Sequence, residues 1–336
     1  MSPVLEDRLC HLAIATTSFE RAAEVANAFG IQTDDSQIQR LVQRTGARAL
    51  AQEERRVEQA FDLRERDARN RRADEEAAGE RFALVVMLDG TMLRSRGVDW
   101  GLKPASASGE RVAWHELKAG LVIRVPTASS GKRPAVTKYY VASDGGPEGI
   151  GRKLYAEALR RGLEHAERVY VIADGAVWIW NLAAEHFPGS METLDFYHAS
   201  EHLWVLARSL WGESGVAARA WVIPLLRNLK RCGGEELQQV LTDLLRSRVD
   251  LGVEQRQVLE REAGYFRRHR SRLDYPGAKR SGMPLGSGSM ESACSQLQGR
   301  FKCPGQFWSR PGERNLLALE LAWRNRDWNE LWVQPA

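Results

Sequence analysis

The chain has 336 residues, 43% of them apolar and 27% charged, with a formal net charge of +4. That is ordinary for a globular protein of one large or two to three modest domains. No apolar stretch approaches the ~20 residues that span a bilayer. The N-terminus lacks the layout of a signal peptide. Cys10, Cys232, Cys294 and Cys303 form no C-x-x-C pair, which argues against a zinc ribbon or a disulfide frame. The expectation is a cytoplasmic protein with no membrane partner.

Residues 18 to 45 read as two helices around a tight turn. Ser18 caps the first and Gly30 ends it; Asp34 or Asp35 starts the second, Ile38, Leu41 and Val42 share one face, and Gly46 is the expected stop. This region, 1–46, suits a helix-turn-helix in a DNA major groove, or equally an ordinary helical hairpin. Residues 47–80, dense in Ala, Arg and Glu, read as an exposed charged helix or connector.

From 81 onward the pattern changes to strands. The first ends at Asp89, Trp114 to Val125 carries an apolar pair of strands with a turn near Gly120, and Lys138 to Ala142 is a third. A helix over Arg152–Ala166 precedes a strand ending at Asp174. A short helix with Trp178 and Trp180, a short strand near Asp195 and a helix from about Tyr197 follow. Residues 214 to about 280 are helical in pattern throughout, and a last helix covers about Arg314 to Arg326, with Trp323, Trp328 and Trp332 as core or docking aromatics. Antiparallel strands followed by helix–strand alternation predict an α/β fold with a mixed sheet flanked by helices.

Two of the strands end alike. Val85–Leu88 runs into Asp89-Gly90, and Val169–Ala173 runs into Asp174-Gly175. Asp-Gly is ordinary turn chemistry, but the C-terminal edge of an open α/β sheet is also where ligands bind. A third acid, Glu291, follows Gly286-Ser287-Gly288 at an expected helix start. Carboxylates delivered from two strand ends and a helix suit Mg²⁺, a hard cation that takes oxygen ligands. Arg267, Arg268, Arg270, Arg272, Lys279 and Arg280 are answered only by Asp274 within their stretch, with Arg300, Lys302, Arg310 and Arg314 beyond. A solvated basic face explains that run, as does countercharge for a phosphodiester.

The body of the chain resembles bacterial insertion-sequence transposases of the DDE class, the Kra-type group. The resemblance rests on Val86-Met87-Leu88-Asp89-Gly90-Thr91-Met92, Trp114-His115-Glu116-Leu117-Lys118-Ala119-Gly120, Ala173-Asp174-Gly175-Ala176 with Trp178-Ile179-Trp180-Asn181, Asp195-Phe196-Tyr197-His198 with Glu201-His202-Leu203-Trp204, then Gly286-Ser287-Gly288 with Glu291-Ser292 and Trp308-Ser309. These phrases span about residues 80 to 332 in the family's order. The resemblance implies an RNase H-like catalytic domain over 81–336, interrupted by an all-helical insertion at about 214–280. Its catalytic and metal-binding acids are Asp89, Asp174 and Glu291, with Asp89 bridging two Mg²⁺ or Mn²⁺ ions. Two such ions activate the attacking oxygen and stabilise the leaving one: water first frees a 3′-hydroxyl at the element end, which then attacks target DNA. The implied partners are double-stranded DNA (terminal inverted repeats and target) and a second copy of the chain on paired ends, in the nucleoid. The basic residues Arg267, Arg268, Arg270, Arg272, Lys279, Arg280, Arg300 and Lys302 are the expected DNA contacts. Family members often carry a further N-terminal segment, sometimes with a cysteine pair, and its lack here leads to the expectation that end recognition is weakened or works differently.

Two other readings stand beside this one. A DNA-binding remnant, truncated or catalytically inactive, would keep the helical region and the basic surface. His198-Ala199-Ser200-Glu201-His202 matches the H-x-x-E-H zinc-protease pattern, in which two histidines on one helix face bind Zn²⁺ and Glu201 is the base. The plainer account has His198 and His202 packing beside the acids, with Asp195 as an accessory carboxylate.

Overall fold

The buried residues Phe82 to Leu88 form the first half of a strand that does not stop where they do. In the computed structural model, which describes residues 1–62, 81–103, 109–127, 136–212, 215–248 and 250–332, β1 runs Phe82–Arg96 straight through Asp89-Gly90. The expected turn is therefore absent. What ends at Leu88 is burial on both faces; beyond it Thr91, Leu93 and Ser95 alternate inward, so the strand continues with a period of two.

Three helices precede β1: α1 (Pro3–Ala15), α2 (Phe19–Ala28) and α3 (Asp35–Phe61). After it come β2 (Val112–Pro126), β3 (Thr137–Ser143), α4 (Gly146–Arg160), β4 (Arg168–Ala173), α5 (Val177–His186), β5 (Met191–Leu194) and α6 (Phe196–Trp211). The chain continues through α7 (Val216–Cys232), α8 (Glu235–Ser247), α9 (Val253–Arg268), α10 (Tyr275–Arg280), α11 (Gly288–Phe301) and α12 (Arg310–Arg324). The strands make one five-stranded sheet in the order β3-β2-β1-β4-β5. It is mixed: β2 and β3 are antiparallel, Lys118 opposite Ser143 through Arg124 opposite Thr137, whereas β4 and β5 are parallel, Ala173 beside Leu194. The fold is α/β, with helices around a mixed sheet. No helix among the described residues is long and apolar enough to cross a membrane.

The chain divides into two units, residues 1–84, 88–167 and 289–336, and residues 85–87 and 168–288. In the first, Ser18 and Asp34 cap α2 and α3 by accepting the N–H groups of Arg21 and Gln37, as their sequence positions require. Gly30 follows α2 at φ +80°, a backbone region that favours glycine. Gly46 is not a stop. The buried stripe Ile38, Leu41, Val42, Thr45 and Ala49 passes through it, and a Cβ at Gly46 would lie 2.2 Å from the carbonyl oxygen of Asn315 on α12. Its missing side chain lets two helices touch. Residues 47–61 of the expected connector are the rest of α3, packed through Val57 and Ala60 on Ala156 and Leu159 of α4; residues 63–80 lie outside the described residues.

Nor does β2 turn at Gly120, which pairs with Val141 while Leu117–Ile123 are buried without a break. Lys118, within that run, is buried with its ammonium on Glu116. In the second unit, residues 215–280 carry α7 to α10 and a 3-10 turn at Arg270–Arg272. Ala207 of α6 meets Ala218 and Val222 of α7, with Trp204, Trp211 and Trp221 around them.

Candidate functional site

Asp89 and Glu291 belong to the first unit; Asp174, Asp195, His198 and His202 belong to the second. Asp89 stands at the point where β1 loses its two-sided cover, half-buried, with Oδ1 accepting the N–H of Gly90 at 2.7 Å. On α11, Cys294 is buried beside the Asp89 carboxylate; burial and that negative charge push the thiol up to about 12. Gln298, one turn further along, donates to the hydroxyl of Thr91. Glu291 precedes Cys294 by three residues, in the first turn and exposed. Residues three and seven apart share a helix face, so the stripe Glu291–Cys294–Gln298 runs along β1 beside Asp89 and Thr91. Glu116 adds a carboxylate not foreseen as part of this site: its Oε1 would lie 2.2 Å from a Cβ on Gly90.

β4 does end where the sequence indicates. Asp174 follows Ala173 directly, and its Oδ1 accepts the N–H of Ala176 at 2.8 Å, shaping the entry to α5. Gly175 is not in the left-handed region; what it provides is space. A Cβ there would be 2.3 Å from Cε2 of Tyr265 on α9. The Tyr265 phenol is pushed up by burial first, then by the charges of Asp174, Glu262 and Asp195. The His269 ring hydrogen-bonds the backbone of Gly175, and burial with Arg272 and Arg268 nearby lowers it to about 4, so it is neutral at pH 7.

The parallel register of β4 and β5 brings Asp195 out of the sheet level with Asp174. Asp195 is fully buried. Its N–H donates to Ala173, while its carboxylate accepts the N–H groups of Tyr197 (2.6 Å), His198 (3.2 Å) and Ser287 (2.5 Å), and the Ser287 hydroxyl. Asp195 therefore caps α6 and ties down the Gly286–Ser287 segment that leads into α11; both oxygens are engaged in that task.

His202 turns inward, its Nδ1 2.5 Å from Glu262 Oε2 and its ring stacked on Tyr265 at 3.7 Å. Burial alone would raise the Glu262 carboxyl, but His202 and Arg261 outweigh it and hold it below the usual range. Glu201 faces outward, 3.5 Å from His198. The geometry thus couples His202 to Glu262, whereas His198 is half-exposed beside Glu201.

The expected DNA contacts separate into two kinds. Arg267, Arg268, Lys279 and Arg280 are exposed at the C-terminal ends of α9 and α10. Arg270 is exposed but forks onto Glu235, and Arg272 is engaged by Glu192 and lies over the ring of Trp180. Arg300 is not a surface residue. It is 6% exposed, donates to the carbonyls of Ala13 and Thr17, and lies over Phe19 and Trp308; burial lowers its guanidinium to about 10. Lys302 is half-buried and its carbonyl accepts from Arg94.

Among the described residues, no group of three or more His, Cys, Asp or Glu side chains is arranged to hold a metal ion. The donors themselves suit a hard divalent cation: Asp89 and Asp174 are half-buried carboxylates and Glu291 is an exposed one. Cys294, Glu116, Tyr265, Glu262 and His269 were not singled out as site residues by sequence, since their spacing to the acids carries no pattern. No family model matches the chain, and no curated protein matches it.

Proposed function

We propose that this chain is a DDE transposase with an RNase H-like catalytic domain, cutting and joining the DNA ends of an insertion element. The observation that carries the reading is the hydrogen bond from Gln298 to Thr91, with Cys294 one turn earlier beside Asp89. It lays the Glu291 face of α11 along β1 within one unit, although the two acids lie far apart in the sequence. A mixed sheet with Asp89 on its middle strand and Asp174 at the end of β4 supports the same reading. Asp89, Asp174 and Glu291 would hold two Mg²⁺ or Mn²⁺ ions, which when bound supply Lewis-acid activation of the attacking and leaving oxygens.

This chain's residues have distinct tasks in that scheme. Gly90 and Ala176 fix the aspartate rotamers through their N–H groups. Asp195 holds the segment entering the Glu291 helix. Arg267, Arg268, Lys279 and Arg280 offer exposed positive charge for the phosphate backbone. Joining two element ends calls for two copies of the chain.

The test is nicking and end cleavage with Mg²⁺ or Mn²⁺ by wild type beside Asp89→Asn, Asp174→Asn and Glu291→Gln. Loss of cutting in all three with DNA binding retained supports the reading; cutting that survives all three discards it. DNA binding without cutting by the wild type would favour a remnant.

A further inference from the structure

We infer that Tyr265 is a positioning residue for Asp174, its hydroxyl donating to that carboxylate when the carboxylate turns toward a divalent cation. The inference rests on the proposed function for the presence of the cation. Tyr265 is 7% exposed, and its hydroxyl has no hydrogen-bond partner in the structure. A buried donor left unpaired costs free energy, and such groups in native proteins are uncommon.

The ring is held on three sides. Against Gly175, a Cβ would come within 2.3 Å of Cε2 and 2.6 Å of the hydroxyl. On one face His202 stacks at 3.7 Å with an interplanar angle of 17°, fixed in turn by Glu262. His269, bonded to the backbone of Gly175, lies 4.8 Å from it. The hydroxyl is therefore fixed beside the residue that follows Asp174. One oxygen of Asp174 already accepts the N–H of Ala176, leaving the other available to a ligand. A carboxylate that binds a metal gains orientation from such a donor, and loss of a supporting hydrogen bond weakens metal affinity by ~10–100-fold in known sites.

The experiment uses the full chain as wild type, Tyr265→Phe and Asp174→Asn. Mn²⁺ binding is followed by electron paramagnetic resonance, together with plasmid nicking in Mn²⁺ and a thermal melt of the metal-free chain. Tyr265→Phe keeps the ring against Gly175 and His202 and removes only the hydroxyl. The expected result is Mn²⁺ affinity about tenfold weaker, with the melting temperature of the metal-free chain not lowered. A purely structural tyrosine would lower the melt and leave the affinity unchanged. Affinity within about twofold of wild type overturns the inference on the scale expected of a supporting hydrogen bond. A wild type that binds no Mn²⁺, or binds it equally well as Asp174→Asn, overturns it as well. A wild type that binds Mn²⁺ through Asp174 but never nicks DNA counts against the transposase reading alone, and the Tyr265→Phe comparison still decides this inference.

Discussion

Cys294 is buried beside the carboxylate of Asp89, one helical turn from Glu291. A short side chain at this position sets how closely α11 approaches β1. It does so for a strand residue and a helix that the chain separates by four further strands and most of its helices.

Enlarging that contact is expected to separate the two elements. Cys294→Phe overpacks a buried site, costing about 1–3 kcal/mol, and should abolish metal-dependent cutting while DNA binding persists. Cys294→Ala removes a small buried volume, so it should cost about 1 kcal/mol and retain cutting. Denaturant titration and the nicking assay read both variants.

Gly46→Ala is expected to reverse the usual rule for helix interiors. Alanine ordinarily stabilises such a position by roughly 0.5–1 kcal/mol over glycine. Here its methyl would meet backbone of Asn315 at 2.2 Å, so a loss of about 1–3 kcal/mol is expected. A stabilised variant on thermal melting would show that α3 and α12 do not touch there.

Asp327 anchors a buried cluster, 2.9 Å from both Arg56 and Arg160, with Arg161 at 3.5 Å. Burial would raise its carboxyl, but the guanidinium groups outweigh it and hold it below the usual range. A carboxyl depressed on folding contributes stability above its unfolded value of ~3.9 that is lost as pH falls through the folded one. Asp327→Asn should therefore cost about 3–5 kcal/mol at pH 7, and the gap to wild type should narrow below pH ~4. Urea titrations at pH 7 and pH 3 check the sign.

The basic residues are expected to divide by burial. Lys279→Ala and Arg280→Ala should each lower the slope of log affinity for DNA against log salt by about one, with stability within about 0.5 kcal/mol. Arg300→Ala should leave the slope unchanged and lower the melting temperature, because it releases the carbonyls of Ala13 and Thr17. Fluorescence anisotropy across a salt series separates the two kinds.

The sequence by itself determined what short-range chemistry controls. Ser18 and Asp34 cap their helices, Gly30 ends one, β4 stops before Asp174, and the periodicity of 215–280 is helical, because each depends on groups a few residues apart. Tertiary structure alone decided the rest. Asp89-Gly90 reads as a turn in isolation, yet β1 continues because neighbouring strands take its backbone hydrogen bonds. Gly46 and Gly175 look like punctuation, but they are places where Asn315 and Tyr265 come close. Arg300 sits in a basic run and is nevertheless drawn inside by two carbonyls and two rings. Which partner fills a glycine's space, or which arginine leaves solvent, is set by packing between segments distant in the chain, and local residue patterns do not encode it.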